Sequence, residues 1–213
     1  MMNKYLLIAL AIIILIIGLI IFKPKTMTEK TPEHNKKTNA NYEIATFAGG
    51  CFWCIEAAFE YGSGVAEAVS GYMGGSSKDA DYHSVSSGET KHLEVVQVKY
   101  DPKEVDYKSL VELFWTQIDP TDADGQFADK GEQYKTAIFY HNDEQKKIAE
   151  ESKEELAKSE KFDKPIAVKI LPAQEFYPAE EYHQNYAEKN SVHYNLYKQG
   201  SGRAGFIEKV WNK

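Results

Sequence analysis

The sequence is poor in cysteine: 213 residues hold two, Cys51 and Cys54, three positions apart. One close pair cannot build a disulfide framework, and no second pair of ligands stands at a spacing that would hold zinc, so no metal site is expected. Basic residues are also in deficit. Lys and Arg number 25 against 32 Asp and Glu, a net charge of −7, which leaves no basic stripe to neutralise phosphates and excludes nucleic acid as a partner. Internal repeats and low-complexity tracts are missing too. What remains is enough chain for one domain with a real core. It carries fourteen tyrosines, most of them expected as half-buried packing residues, so a tyrosine alone signals nothing.

Long apolar runs are missing from the chain except at its start. "YLLIALAIIILIIGLIIF", Tyr5 to Phe22, has no charge and lies between Lys4 and Lys23. At the helical rise it would span roughly 27 Å, close to the hydrocarbon core of a bilayer. A cleaved signal peptide would have a shorter apolar region ending in small residues, so residues 5–22 are expected as an uncleaved transmembrane anchor behind a short tail, 1–4. Residues 23–41 are polar and lack apolar periodicity, as in a flexible tether. The lysines after the apolar run favour a cytoplasmic domain. The short basic start and the long tether favour an extracytoplasmic one, which is the expectation adopted.

Residues 42–213 form the functional domain. Strands are expected over "YEIATFAGG", Glu94–Pro102, Tyr134–Tyr140 and "KPIAVKIL". Helices are expected over Cys54–Gly62, over "YKSLVELFWTQI" with Trp115 in the core, and over a long run capped by Asn142 with a Glu154–Lys158 pair. A further helix is expected from Pro178. Gly71, Gly74 and Gly75 suggest a loop, and "QGSGRAGFIEKVWNK" a loop wrapping back over the domain. Strands alternating with helices indicate an α/β or α+β sandwich of one sheet with helices packed on it.

The cysteines lie in "FAGGCFWCIEAAFE", where a strand and a glycine turn lead into a helix. Cys51 at a helix N-terminus should have a lowered pKa, and Cys54, one turn later, lies on the same face. A purely structural disulfide is a poor explanation. Closing a four-residue loop contributes only about 2 kcal/mol, against about 3 for fifteen residues. Redox chemistry is the better reading.

"GCFWCIEAAF" resembles the active-site signature of the A-type peptide methionine sulfoxide reductases. "VSGYMGG", Tyr82–Pro102, Asp119–Tyr140 and "FYPAEEYHQNYAEKN" resemble further blocks of that family, in family order, across nearly all of the domain. The resemblance implies an α+β fold, a ferredoxin-like sandwich with a mixed sheet. It also implies reduction of methionine S-sulfoxide, free or in proteins, with no metal or organic cofactor and thioredoxin or a similar dithiol as external reductant. By the same resemblance Cys51 attacks sulfur, Glu94 is the acid, and Tyr82 and Tyr134 donate hydrogen bonds to the sulfoxide oxygen. Phe52 and Trp53 wall the methyl group, and Asp129 orients substrate or a water. From spacing alone Glu94 would pass for a solvated strand residue. His183 is expected in a structural hydrogen bond, and His92 is left without a role.

The family usually has glycine where Cys54 stands and often carries recycling cysteines near its C-terminus. Gly200–Lys213 has none, so Cys54 becomes the intramolecular candidate to resolve a Cys51 sulfenic acid. Two rivals stay open: a membrane-tethered thiol–disulfide oxidoreductase, and a binding domain whose thiols are incidental.

Overall fold

The structure, a computed structural model, describes residues 41–211. The strands and helices run β1 (Glu43–Gly49), α1 (Phe52–Phe59), β2 (Val65–Met73), α2 (Tyr82–Ser86), β3 (Leu93–Tyr100) and α3 (Tyr107–Trp115). A small ribbon, β4 (Gly125–Gln126) and β5 (Asp129–Lys130), precedes β6 (Thr136–Tyr140), α4 (Asp143–Lys158), β7 (Lys169–Pro172) and β8 (Tyr177–Pro178). Three helices close the described chain: α5 (Tyr186–Lys189), α6 (Ser191–Gly200) and α7 (Arg203–Val210).

The main sheet has the order β7-β6-β1-β3-β2-β8. All its pairs are antiparallel except β6 with β7, so the sheet is mixed and the fold is α+β. Strand alternation explains the two faces. Ala45 and Phe47 of β1, with Val96, Val98 and Tyr100 of β3, point to the side that α1, α3 and α4 cover. There the Phe47 ring lies 5.0 Å from Phe59 and 5.1 Å from Phe114. Ala48, Met73, Val95, Ala137 and Phe139 point the other way, packed by Leu171, Ala173 and Phe176. Glu94 belongs to the alternation of Val96 and Val98, so the strand turns it inward, level with the N-terminus of α1.

Local chemistry matches several of these elements. The Asn142 side chain accepts from the Gln145 N–H at 2.9 Å at the start of α4, and Lys158 pairs with Glu154 at 2.6 Å. Trp115 is 4 % exposed and donates to Ser152.

Other expectations need correction. Among the described residues no helix is long and apolar enough to cross a membrane. The membrane-anchored, extracytoplasmic placement is corrected accordingly, and residues 1–4, 5–22 and 23–40, on which it rested, lie outside the described residues. Gly71 sits inside β2 and not in a loop, paired with Val95, and is glycine because a Cβ there would come within 2.4 Å of the Phe176 ring. The helix expected from Pro178 is a 3-10 turn, Glu181–His183, and the short α5, parted by Asn185 in the left-handed region. The tail is helical and not a loop: Gln199 and Gly200 end α6, and Arg203–Val210 form α7. Gly202, at φ 90, turns the chain between α6 and α7.

Candidate active site

The site begins where β1 turns into α1. Two glycines make this turn tight. A Cβ on Gly49 would lie 2.5 Å from Ile55 Cδ1, and Gly50, at φ +79, leaves only 2.6 Å to Gln126 Cβ. Cys51 takes the N-cap position. The N–H of Phe52 at that helix end donates to Glu94 Oε2 at 3.0 Å. Glu94 is 2 % exposed, and burial raises its pKa to about 8, with that one N–H pulling the other way. At neutral pH its carboxyl is therefore mainly protonated. Oε2 already accepts, so the proton is carried by Oε1.

Around this carboxyl stand the tyrosines that the sequence singles out. Burial and then the Glu94 charge raise the pKa of Tyr82, and the same two causes raise that of Tyr134. Both hydroxyls thus stay protonated, as donors. Tyr82, the first residue of α2, is held by its N–H bonding to Glu180 Oε1 at 2.9 Å. The Tyr72 hydroxyl takes the other Glu180 oxygen at 2.9 Å. Tyr134 ends a 3-10 turn that follows β5. Asp129, on β5, accepts from the Tyr197 hydroxyl of α6, and burial raises its pKa.

The aromatic wall is built from α1 and the chain around α5. The ring of Phe52 lies 6.5 Å from Tyr82 and 5.0 Å from His183. Trp53 stacks on Tyr186 at 3.8 Å and is fixed by Nε1 donating to His183 Nδ1 at 3.0 Å. Since Nδ1 accepts, the neutral His183 carries its hydrogen on Nε2. His92 serves a turn: a Cβ on Gly75 would meet its ring at 2.3 Å, and its Nδ1 accepts from the Gly75 N–H.

Both thiols are free and buried, Cys51 6 % and Cys54 2 % exposed, beneath Tyr194 and Tyr197 of α6. They behave as a pair. Interaction with Cys51 lowers the Cys54 pKa to about 7 against the opposing effect of burial. Burial first, then the neighbouring Cys54, pushes Cys51 up. The lowered Cys51 pKa expected from a helix N-terminus is thus corrected. Burial outweighs the helix end, whose first N–H is given to Glu94.

The structure brings together every residue singled out: Cys51, Phe52, Trp53 and Cys54 on the turn, with Glu94, Tyr82, Tyr134 and Asp129 around it. Sequence reasoning misses Tyr186, Tyr194, Tyr197 and Arg203. Tyr194, Tyr197 and Lys198 stand at i, i+3 and i+4, one face of a helix, which the loop reading of the adjoining tail obscured.

Comparison with known proteins gives a consistent result. The sequence profile of the family described as "Peptide methionine sulfoxide reductase" matches residues 43–213. "Peptide methionine sulfoxide reductase MsrA" of Bacillus pumilus is 54% identical over 170 residues, 80% of this chain and 96% of that protein. Its namesake in Bacillus subtilis is 54% identical over 169 residues, 79% and 96% of the two chains. Among solved structures, reduced Mxr1 of Saccharomyces cerevisiae superposes with a TM-score of 0.66 at 35% identity, over 70% of this chain and 86% of that one. Methionine sulfoxide reductase A of Corynebacterium diphtheriae gives 0.63 at 32% identity, over 71% and 76%.

Proposed function

Because the chain belongs to the peptide methionine sulfoxide reductase family, we propose that it reduces methionine S-sulfoxide, free or in proteins, to methionine. The reaction runs through a Cys51 sulfenic acid and a Cys51–Cys54 disulfide, which thioredoxin or a similar dithiol recycles. The order β6-β1-β3-β2, with α1 and α3 as the crossing helices, supports the ferredoxin-like reading of the fold.

A sulfoxide sulfur is a poor electrophile until its oxygen is protonated or hydrogen-bonded. Glu94 gives its proton to that oxygen, and Tyr82 and Tyr134 donate hydrogen bonds to it. Phe52 and Trp53 hold the methyl group, and Asp129 orients substrate or a water. Cys51 attacks the sulfoxide sulfur, its own proton passing to the carboxylate that Glu94 becomes. The sulfur–oxygen bond of methionine breaks as the oxygen moves to Cys51 as the hydroxyl of its sulfenic acid, the bond between the two sulfurs breaks, and the thioether is released. Cys54 then forms the S–S bond, and the S–O bond breaks to give water. The external dithiol reduces the disulfide and is itself oxidised.

The observation that carries this reading is a buried, neutral Glu94 carboxyl pinned to the helix end beside Cys51. A buried, neutral carboxyl beside Cys51 has no part in thiol–disulfide exchange, which favours sulfoxide reduction over the thiol–disulfide oxidoreductase. The full chain, assayed with each sulfoxide epimer and dithiothreitol, should turn over the S form alone. Cys51→Ser should abolish even a single turnover. Cys54→Ser should reduce about one sulfoxide per enzyme and then stall with thioredoxin, leaving a trappable sulfenic acid. Sustained thioredoxin-driven turnover by Cys54→Ser would remove Cys54 from the cycle.

A further inference from the structure

Arg203, the first residue of α7, is 1 % exposed. Its Nη1 donates to the Gln117 carbonyl at 2.6 Å and its Nη2 to the Gly49 carbonyl at 2.9 Å. The Phe127 ring covers the guanidinium at 4.8 Å, and Nε has no partner. Among the described residues no carboxylate lies within ion-pair distance of it. Burying a lone charge costs several kcal/mol, and a guanidinium cannot escape by losing its proton. A fold keeps such a group where an anion close by offsets the cost.

The surroundings identify that anion. Gly49 stands two residues before Cys51, and a Cβ on Gly50 would lie 3.0 Å from Nη2. The guanidinium is therefore seated against the turn that carries Cys51. The titratable groups that interact with the two thiols are Tyr82 from α2, Glu94 from β3, Asp129 from β5, Tyr134 from the 3-10 turn after it, Tyr194, Tyr197 and Lys198 from α6, and Arg203 itself. Glu94 is neutral, and the Asp129 carboxyl, which the Arg203 charge also influences, is engaged by the Tyr197 hydroxyl and lies outside pairing distance. The anion that the turn under Arg203 can itself offer is one deprotonated thiol of the pair.

We infer that Arg203 is the built-in counter-ion of the reduced Cys51–Cys54 pair, holding one negative charge on the two sulfurs and so supplying the thiolate with which Cys54 attacks a Cys51 sulfenic acid. This rests on the resolving role given to Cys54 above. In that attack the S–S bond forms, the S–O bond breaks, and the departing hydroxide takes the Glu94 proton to become water, after which Glu94 is reprotonated from solvent. The sulfurs lose their charge while Arg203 keeps its own. Arg203 acts through Cys54 and is a positioning residue. Its charge lowers both thiol pKa values, consistent with this arrangement.

The test is a titration of the full, reduced chain, followed by ultraviolet thiolate absorbance with no sulfoxide present. In Arg203→Met the first thiol should ionise about one pH unit higher, a tenfold loss of acidity. Arg203→Lys, which keeps the charge, should recover most of it. At about pH 9, where the wild-type pair is ionised, Arg203→Met should shift the dithiol–disulfide equilibrium about tenfold towards the disulfide, or about 30 mV. If the Met variant fails to fold, nuclear magnetic resonance of wild-type protein decides the matter. The Arg203 Nε–H signal should move with the thiol titration, and stay still in Cys51→Ser/Cys54→Ser. An unchanged thiol pKa in folded Arg203→Met, identical behaviour of the Met and Lys variants, or a signal blind to the thiols would each overturn the inference. None of these readouts depends on turnover, so a failure here is distinct from Cys54 proving dispensable.

Discussion

Helix α1 has a buried glutamate at its N-terminus and another on its flank, and the two differ in what faces them. Glu94 comes in from β3, accepts one N–H, and lies within the influence of Cys54 and Asp129, which add to the effect of burial. Glu56 stands on α1 itself, 1 % exposed, with its pKa raised to about 7 by burial and drawn back by the Asn185 and Tyr186 amides. Both are unusual carboxyls, and by acidity alone either could be the acid. Position separates them. Glu94 looks onto the thiols and the tyrosines Tyr82 and Tyr134. Glu56 looks onto the left-handed Asn185 and the chain that lays Tyr186 on Trp53. A raised pKa thus marks burial, and the neighbours decide whether the proton is there to be given away.

The sharpest way to break this contrast is to remove each proton in turn. Glu94→Gln should slow formation of the sulfenic acid by about 10²-fold or more, the range for losing a general acid, as measured in single-turnover experiments. Glu56→Gln should leave that step within about threefold and raise KM instead, since Tyr186 would lose its seat against Trp53. Equal losses in the two variants would erase the distinction.

The pH profile should sharpen it. The proposed mechanism uses the acid form of Glu94, so the first step should fall as pH rises through about 8 in the wild type and lose that limb in Glu94→Gln. Stability follows the same sign. A carboxyl with a raised folded pKa binds its proton more tightly in the folded chain. Its contribution is complete below the unfolded value near 4.3, and it is lost as pH climbs through about 8. The Tm of Glu94→Gln should therefore gain on the wild type between pH 5 and pH 8.5. The smallest effect calibrates the others. Asn142→Ala removes the cap of α4, far from the thiols, and should cost about 1 kcal/mol of stability with turnover unchanged.

How much of this was legible follows from the range of the interactions. The turn into α1 and the cap of α4 depend on residues within a few positions of each other, and the sequence carries them openly. The inward face of Glu94 does not announce itself. A carboxyl opening a strand is ordinarily solvated, and only the family blocks of Tyr82–Pro102 mark it. β2 was hidden by Gly71, which is there for the Phe176 ring, 105 positions away. Arg203 was hidden for the same reason. Its partners, Gly49 and Gln117, are 154 and 86 positions distant, and the glycines around it imitate a loop.

An enzyme that mends oxidised methionine works where the oxidant still is. Peroxide attacks thiolates far faster than thiols. Cys51 rests with its proton held by burial and by its neighbour, 6 % exposed, so it offers bulk oxidant little to react with. On the proposed mechanism, a sulfoxide that fills the aromatic wall arrives already within reach of the Glu94 proton and of the sulfur. That mechanism would separate the lesion from the agent that caused it before any bond changes, by the reluctance of one buried sulfur to ionise.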